Sequence, residues 1–253
     1  MSNYQRLVKR VLNDGSPAQS RAGDVIYKFG ESYTTDLRLG FPVITERAID
    51  YNQAFGELAA FIHGCTTQEE FQNYGCKYWA AYGEDLGPIY GAQWRNFNGV
   101  DQLNELIFGL ATNPESRRHI MSTWNPADLS KMVLPPCHIL TQFNVDNDVL
   151  EQIVYMRSVD IILGLPYDII VYAGLQMLLA NQLGLTAGKL KFFFGNAHIY
   201  QNHIEAAEII VAEPSRPRPT LHLNNEDILS FEPNDFYLAN YTPGRALKVP
   251  LNL

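Results

Sequence analysis

The apolar residues in the first half of the chain recur every three or four positions. This spacing places them on one face of an α-helix, so each such segment is predicted to be an amphipathic helix with one buried side. Three segments show the repeat: residues 7–12 before an Asp14-Gly15 stop, residues 51–64 closed by Gly64, and residues 103–110.

Glu57 is a charged residue on the apolar side of the helix predicted over 51–64. It follows Ala54 by three positions and precedes Phe61 by four, so all three side chains point the same way. Such a carboxylate either extends to water from the edge of the apolar stripe or faces a cavity and takes part in chemistry. The helix pattern alone leaves both interpretations open.

From residue 118 the pattern changes to alternation and to short apolar runs, which are typical of strands. Strands are predicted over 118–124, 138–145, 149–158 and 189–194, and helices over 168–183 and about 199–212. Strands packed with helices make a mixed α+β fold. No repeat or long linker divides the chain, so we expect one domain over residues 1–253. Neither G-x-G-x-x-G nor a P-loop occurs, which argues against a dinucleotide or nucleoside triphosphate site.

The segment 169–188 is uncharged and long enough to suggest a membrane span. Gln176, Asn181 and Gln182 interrupt it, and Pro166 and Asp168 precede it. We therefore predict a buried core helix.

The charge balance restricts the partners. The chain has 253 residues with 19 Lys+Arg against 27 Asp+Glu, a net charge of −8, which disfavours nucleic acid or an anionic membrane as a direct partner. A bound anion then requires a local basic pocket. Cys65, Cys76 and Cys137 form no CxxC pair, and the basic N-terminus lacks a following apolar stretch, so a cytoplasmic location without a signal peptide is expected.

Cys137 follows two prolines in LPPCHIL (134–140), at the start of a predicted strand. It is either a buried structural thiol or a nucleophile, and a nucleophile needs a nearby cation to favour the thiolate. Two candidate cations are the Arg117-Arg118 pair and Arg157, which is followed by Ser158. Arginines beside a hydroxyl suit a phosphate monoester, although both sites are also compatible with solvated charged turns.

The segment GNAHIYQNH (195–203) places His198 and Tyr200 two positions apart at the end of a strand. His198 and His203 are five positions apart, a spacing that fits one helical face poorly, and no CxxC or HExxH motif accompanies them. We therefore expect no metal site.

Five motifs occur together and in order: SRR, PPCH, RS-x-D, LGLPY-D and AHIY-x-NH. With them the chain resembles thymidylate synthase and its relatives, which alkylate C5 of pyrimidine nucleotides. The resemblance runs almost end to end through YQRLVKRVLNDG, SRAG, GFPVIT, GELAAFIHG, DLGPIYGAQW and KVPLNL. It implies a single-domain fold with a mixed β-sheet packed with helices, and a homodimer that pairs through the sheet.

The resemblance implies roles for three residues in catalysis with 5,10-methylenetetrahydrofolate as co-substrate. Cys137 matches the cysteine that adds to C6 of the pyrimidine, which makes C5 reactive toward the methylene group. Glu57 matches the glutamate that relays protons through water, and Tyr90 matches a tyrosine near the thiol.

It also implies two sets of binding residues. On the nucleotide side, Arg21, Arg157 and Ser158 match phosphate ligands, Arg117 and Arg118 match arginines donated by the partner subunit, and His198 and Tyr200 match residues that hold the sugar 3′-hydroxyl. His138, Val159, Asp160 and Asp168 complete this set. The folate set comprises Arg47 for the folate tail, Trp79, Asp160, Leu163, Gly164, Tyr167, Asn252 and the terminal Leu253.

Asp168 is a departure from thymidylate synthases, which carry asparagine after LGLP and an aromatic residue. An amide can donate to uracil O4 and accept from N3–H, whereas cytosine presents the opposite pattern at N4 and N3. An ionised carboxylate facing uracil O4 opposes two acceptors, at a cost of about 1–3 kcal/mol. Aspartate here, with Met156 before Arg157, resembles deoxycytidylate hydroxymethylases. Helix capping explains the exchange poorly, because asparagine caps equally well.

The product remains open between two outcomes at C5. Adding water gives a hydroxymethyl group, and hydride transfer from the folate gives a methyl group. Trp79 and the apolar C-terminus resemble methylating enzymes, whereas Tyr82 stands where they carry a second tryptophan. The Asp-bearing relatives favour 5-hydroxymethyl-dCMP, often in viruses that modify their DNA. Methylation of dCMP or dUMP is the alternative, and an inactive nucleotide- or mRNA-binding relative is a third. AHIY favours a deoxynucleotide by resemblance.

Overall fold

The computed structural model describes residues 1–252. The strands are β1 (Ser16–Ser20), β2 (Gly23–Asp36), β3 (Ile120–Ser122), β4 (His138–Asp146), β5 (Val149–Asp160), β6 (Thr186–Tyr200), β7 (Thr220–Leu223) and β8 (Phe236–Ala239). The helices are α1 (Asn3–Asp14), α2 (Tyr51–His63), α3 (Gln68–Asn73), α4 (Tyr90–Arg95), α5 (Gln102–Thr112), α6 (Leu165–Gln182) and α7 (Ile204–Ala212). Two short 3-10 turns, Tyr78–Tyr82 and Gln201–His203, also bear on the candidate site.

Six strands form a mixed sheet in the order β1-β2-β6-β5-β4-β3, and β7 pairs with β8. The neighbours β5 and β6 are parallel, so their C-terminal ends lie at the same edge of the sheet. In this register Asp160 lies beside His198, and Ser158 lies beside Asn196. Two motifs that are about forty residues apart in sequence therefore meet.

Helix α6 connects β5 to β6 and is buried along most of its length. It packs closely against α2, because a Cβ added at Gly174 would lie only 2.7 Å from Cδ2 of Leu58. The uncharged segment 169–188 thus contributes a core helix, as predicted, and continues into β6. Within residues 1–252, no helix combines the length and apolar character needed to cross a bilayer.

The predicted start of this helix at residue 168 is wrong, because α6 begins at Leu165. Pro166 lies in the first turn, where the backbone N–H groups have no intrahelical acceptor and proline is tolerated. The N-cap residue is Gly164. Asp168 therefore lies inside the first turn, and capping does not account for it.

The other differences have local causes. The β1–β2 hairpin was not predicted; Gly30, with a φ of +81°, interrupts β2, although the register with β6 is the same on both sides of it, and a glycine inside a strand weakens the strand pattern. Helices α3 and α4 are too short to show a helical period. The helix predicted from about 199 begins at Ile204, because β6 continues to Tyr200.

One face of the sheet carries exposed apolar side chains at its centre. Tyr155 on β5 pairs with Phe193 on β6, and their exposed fractions are 37% and 36%. Ile153 and Ile120 lie nearby on the same face, at 38% and 42%. The opposite face is packed against the helices.

Candidate active site

Cys137 lies immediately before β4, and backbone contacts hold it on both sides. Its N–H donates to the hydroxyl oxygen of Tyr90 at 3.0 Å, and its carbonyl accepts from the N–H of Arg157 at 2.8 Å. The side chain is partly exposed. The thiol is therefore fixed in place while remaining accessible.

The guanidinium of Arg157 holds the proline segment in front of the thiol. Its Nε donates to the carbonyl of Pro136 at 2.7 Å, and its Nη2 donates to that of Pro135 at 2.8 Å. The same Nη2 lies 3.9 Å from Sγ of Cys137, and the ring of Trp124 lies 5.7 Å from the guanidinium carbon. Arg157 is thus the cation that the thiol required.

Opposing effects act on the thiol of Cys137. Burial raises its pKa and Asp168 adds to the increase, whereas the charge of Arg157 and the hydroxyl of Tyr90 act in the opposite direction. The balance is a raised pKa. The thiol form is therefore favoured in the free chain, and Arg157 is the nearby charge that stabilises the reactive thiolate.

Glu57 does not extend to solvent. Only 7% of the residue is exposed, and Oε1 accepts a hydrogen bond from Nε1 of Trp79 at 2.7 Å. Burial raises the pKa of Glu57 to about 7, against the opposing effects of the nearby Tyr78 hydroxyl and of the hydrogen bond from Trp79. A carboxyl with this pKa gains and loses protons near neutral pH, as a proton relay requires.

Tyr78 was not identified from the sequence. Its hydroxyl is buried and has no hydrogen-bond partner of normal geometry. Glu57 and Cys76 are the ionisable groups that act on it most strongly, and its ring packs edge-on against Tyr167 at 5.5 Å. A buried hydroxyl without a partner destabilises the fold, so its presence suggests a functional role. The absence of a partner is visible only in the three-dimensional structure, and the sequence carries no signal of it.

Asp168 faces the same group of residues. Its side chain is only 18% exposed and accepts no hydrogen bond, and Oδ1 lies 3.9 Å from Nε2 of His138. Burial raises its pKa well above the ordinary range, and the charges of Glu57 and Asp160 add to this. The neutral acid is thus favoured, whereas the sequence argument assumed the ionised form.

His138 is a buried residue that follows Cys137 in the sequence and lies beside Asp168. Burial lowers its pKa to about 3, so the ring is neutral. Its Nδ1 lies 2.6 Å from the hydroxyl of Tyr172, and its ring stacks on Tyr90 at 4.0 Å. The neutral ring therefore packs beneath Cys137 and Asp168 without adding charge.

The residues predicted to bind the sugar and phosphate divide into two groups. His198 and Tyr200 pack edge to face at 5.1 Å at the end of β6. Burial raises the pKa of Tyr200, and Arg21 in the β1–β2 turn is close enough to act against this increase. Arg117 and Arg118 are exposed in the loop before β3. Within residues 1–252, neither arginine side chain makes an ion pair or hydrogen bond with Cys137, Glu57 or Asp168.

Asp160 ends β5 and is anchored by the turn that follows. Its Oδ1 accepts from the N–H groups of Ile162 and Leu163 at 2.9 and 3.0 Å. Its Oδ2 is left for other partners and lies 3.4 Å from Nδ1 of His203. The turn then leads through Gly164 into α6.

A family model for thymidylate synthase matches residues 2–253. The chain belongs to the thymidylate synthase family. This confirms the predicted single-domain α+β fold and explains why the motifs converge at the ends of β5 and β6. Enzymes of this family transfer a one-carbon unit from methylenetetrahydrofolate to C5 of a pyrimidine nucleotide.

Two of the folate positions inferred from this family lie close to Glu57. Trp79 donates to its carboxylate, and Tyr167 contacts Tyr78. Leu163 and Gly164 form the turn after Asp160.

Arg47, expected at the tail of the folate, is only 4% exposed. Its Nη2 donates to the carbonyl of Ile162 at 2.9 Å, and its Nε has no hydrogen-bond partner. The segment that carries it packs under the turn after Asp160, so the structure does not present Arg47 as an open surface cation. It holds that turn in place.

At the C-terminal end, Asn252 contacts Asn202 and His203. Leu253, predicted to fold over the ligands, lies outside the described residues. Among residues 1–252, no three His, Cys, Asp or Glu side chains converge as metal ligands. His203 instead contacts Asp160 and the carbonyl of Pro250.

Proposed function

We propose that the chain converts dCMP, 5,10-methylenetetrahydrofolate and water into 5-hydroxymethyl-dCMP and tetrahydrofolate. The observation that carries the base preference is the carboxyl of Asp168, to which no group within residues 1–252 donates a hydrogen bond and whose Oδ1 lies 3.9 Å from Nε2 of His138. Its position in the first turn of α6, beside His138, supports a contact with the base.

The protonation of Asp168 changes how the base is recognised. As a neutral acid it donates to cytosine N3 and accepts from the N4 amino group, but it can equally pair with O4 and N3–H of uracil. As a carboxylate with one oxygen facing the substituent at C4 and the other turned away from N3, it accepts from the amino group of cytosine and opposes O4 of uracil. Discrimination against uracil therefore comes from the ionised form and increases with pH.

In the proposed reaction, the thiolate of Cys137 adds to C6 of the base and leaves when C5 has been substituted. Arg157 stabilises the thiolate, and Tyr90 and His138 keep it in position. Glu57, with its pKa of about 7, exchanges protons with the base through water. Arg21, Arg157 and Ser158 bind the phosphate, His198 and Tyr200 bind the sugar, and Val159 contributes backbone next to them.

The residues present fit a folate. Oδ2 of Asp160 is a free acceptor suited to the N–H groups of a pterin, and Trp79, Tyr78 and Tyr167 provide an aromatic wall. The co-substrate supplies the carbon, at the oxidation level of formaldehyde. The proposed role of these residues is to bind the co-substrate and to orient it toward C5.

Addition of water is the proposed outcome because the group near Glu57 is polar. The hydroxyl of Tyr78 and the carboxyl of Glu57 are both available to hold a water molecule. Methyl transfer to dCMP or dUMP, with folate as hydride donor, is the alternative. The packing of Trp79 against Tyr90 and Tyr82 favours it, since a closed aromatic wall excludes water.

We further propose a homodimer that pairs through the exposed apolar face around Tyr155 and Phe193. Such a face is covered in most stable proteins. Arg117 and Arg118 follow α5, and the strand that comes next, β3, is at the edge of this sheet. This placement suits arginines that reach the phosphate of the partner subunit. A free mononucleotide also suits a net charge of −8 better than DNA.

The test is incubation of the enzyme with dCMP or dUMP, methylenetetrahydrofolate and ¹⁸O-labelled water, followed by mass spectrometry of the nucleotide. We expect dCMP to gain a hydroxymethyl group that carries ¹⁸O, with no dihydrofolate absorbance. Turnover of dUMP alone contradicts the base assignment. A methyl product with rising dihydrofolate absorbance supports the alternative, and no turnover of either nucleotide supports the inactive relative.

A further inference from the structure

His203 is a buried histidine between two acceptors that belong to different parts of the chain. It is 0% exposed, and Nδ1 lies 3.4 Å from Oδ2 of Asp160. On the other side of the ring, Nε2 lies 2.7 Å from the carbonyl oxygen of Pro250. The ring thus joins the end of β5 to the C-terminal segment.

This segment, residues 246–252, has few other polar anchors. Before it, Gly244 donates to Thr45 and Ala48 donates to Arg245, which places the chain along the segment that precedes α2. Within 246–252, the hydrogen bonds to the rest of the described chain go to Asn202 and His203. His203 is therefore a main point at which the segment is held.

A neutral imidazole cannot satisfy both neighbours. It carries one N–H, so either Asp160 or the carbonyl of Pro250 is left without a donor, whereas the protonated ring donates to both. Nδ1 has no hydrogen bond of normal geometry, which indicates an incomplete contact with Asp160. Nδ2 of Asn252, a donor 3.1 Å from Nε2, can contact that nitrogen favourably only when the ring is neutral.

The charges around the ring favour protonation. Burial opposes the charged form, but the nearby carboxylate of Asp160 outweighs it, and the pKa of His203 is raised. Arg47, from the segment before α2, acts against protonation, and His198 on β6 lies within electrostatic range. Tyr200 faces the ring edge-on at 5.5 Å.

We propose that His203 is a positioning residue that ties the C-terminal segment to Asp160, and that the protonated ring holds this segment most firmly. Because the same Oδ2 of Asp160 is offered to the folate, the link connects folate binding to docking of the C-terminus. This last step rests on the proposed function. The link between His203 and the segment does not.

Hydrogen exchange measured by mass spectrometry on the ligand-free protein tests the link directly. Protection factors for the peptide over 247–252, corrected for intrinsic exchange, are compared at pH 6 and pH 8.5. The charged ring of His203 stabilises docking of the segment fully below the ordinary pKa of histidine. This stabilisation is lost as pH rises through the raised pKa of His203. We expect protection to fall with pH in the natural protein and to be low and independent of pH in His203→Gln.

Two control variants separate this effect from general loosening. Asn202→Ala removes a contact to Asn252 and should lower protection at both pH values while preserving the pH dependence. His63→Gln alters a histidine that contacts Phe231 instead, and should leave the peptide unchanged. Equal protection in the natural protein at both pH values overturns the proposal, and this measurement stands even if His203→Gln does not fold.

The kinetic measurement tests the connection to folate. His203→Gln should raise KM for methylenetetrahydrofolate roughly fivefold to tenfold at pH 6, a typical coupling between two sites, with a much smaller change in KM for the nucleotide. Equal increases in both KM values contradict the connection. If no activity is found for the natural protein, the proposed function fails while the exchange experiment still decides the role of His203.

Discussion

The base side and the phosphate side of the candidate site are built differently. Glu57, Asp168 and His138 are held between α2, β4 and α6, where burial shifts the pKa of each. Arg21 and the Arg117-Arg118 pair lie exposed in loops. Groups whose proton affinity must be tuned are placed in the core, whereas groups that only supply charge remain in solvent. In the proposed homodimer, one chain completes the first set, and the Arg117-Arg118 pair of a partner completes the second.

The largest expected effect would test whether two chains share a site. Cys137→Ser and Arg118→Ala should each lower kcat/KM, by at least ~10³-fold for the lost nucleophile and about 10²-fold for the lost phosphate contact. Unfolding and refolding a mixture of the two should restore roughly a quarter of the natural activity, because each mixed dimer regains one intact site. The assay is turnover of dCMP before and after mixing.

Failure of the mixture to recover activity, with dimers shown by light scattering, would place Arg118 in the site of its own chain. A refolded mixture of Cys137→Ser with Glu57→Gln provides the control. Both residues are placed in the same chain's site, so neither site of a mixed dimer is intact and this mixture should stay inactive.

Asp168→Asn would test the base side. The ratio of kcat/KM for dCMP over dUMP should fall by roughly tenfold to a hundredfold, because the amide matches uracil. In the natural enzyme the same ratio should rise as pH increases through the raised pKa of Asp168, and this dependence should vanish in the variant. Asp14→Asn, an exposed carboxyl at the end of α1, is the matched control. An unchanged ratio would remove Asp168 from base recognition.

Burial of Glu57 should be visible in stability. Its folded pKa of about 7 exceeds the ordinary 4.5, so its stabilising effect is complete below pH 4.5 and is lost as pH rises to 7, by about 3 kcal/mol. Glu57→Gln should remove this loss, as measured by denaturant unfolding at pH 5 and pH 8. Glu70 should show the opposite pH dependence of stability, because the backbone N–H of Thr66 donates to its carboxylate and lowers its pKa. Glu70→Gln should therefore remove a stabilising contribution that is present at high pH and lost as pH falls. A variant that keeps the natural pH dependence would mean Glu57 is hydrated.

The smallest effect concerns Tyr78. Tyr78→Phe should lower the hydroxymethyl share of the product a few-fold while leaving stability unchanged or higher by about 1 kcal/mol, since it removes a buried hydroxyl without a partner. Product ratios by mass spectrometry and unfolding midpoints measure both. Tyr74→Phe, whose ring stacks on His63 instead, should change neither. A stabilised variant with unchanged products would give Tyr78 a packing role only.

Secondary structure was predicted correctly where a hydrophobic pattern extends over many residues. The roles of side chains that depend on contacts between distant segments were not predicted. The core helix over 169–182 follows from a long apolar run, and the central strands from alternation and short apolar runs. Tyr78 carries no local signal, because its significance depends on Glu57 approaching from α2. Arg47, which the resemblance assigns to the folate tail, also carries no local signal of its surroundings: it is buried and its Nη2 donates to the carbonyl of Ile162.

The sequence by itself determined which residues could do the chemistry, because motifs such as PPCH and RS-x-D specify functional groups and their order. It also determined the aspartate at position 168, on which the proposed preference for dCMP rests. Only the tertiary structure decided the protonation of these groups, since burial acts on Glu57, Asp168 and His138 through residues distant in sequence. It likewise decided that His203 joins Asp160 to the C-terminal segment, because that contact exists only where β5, β6 and the end of the chain meet.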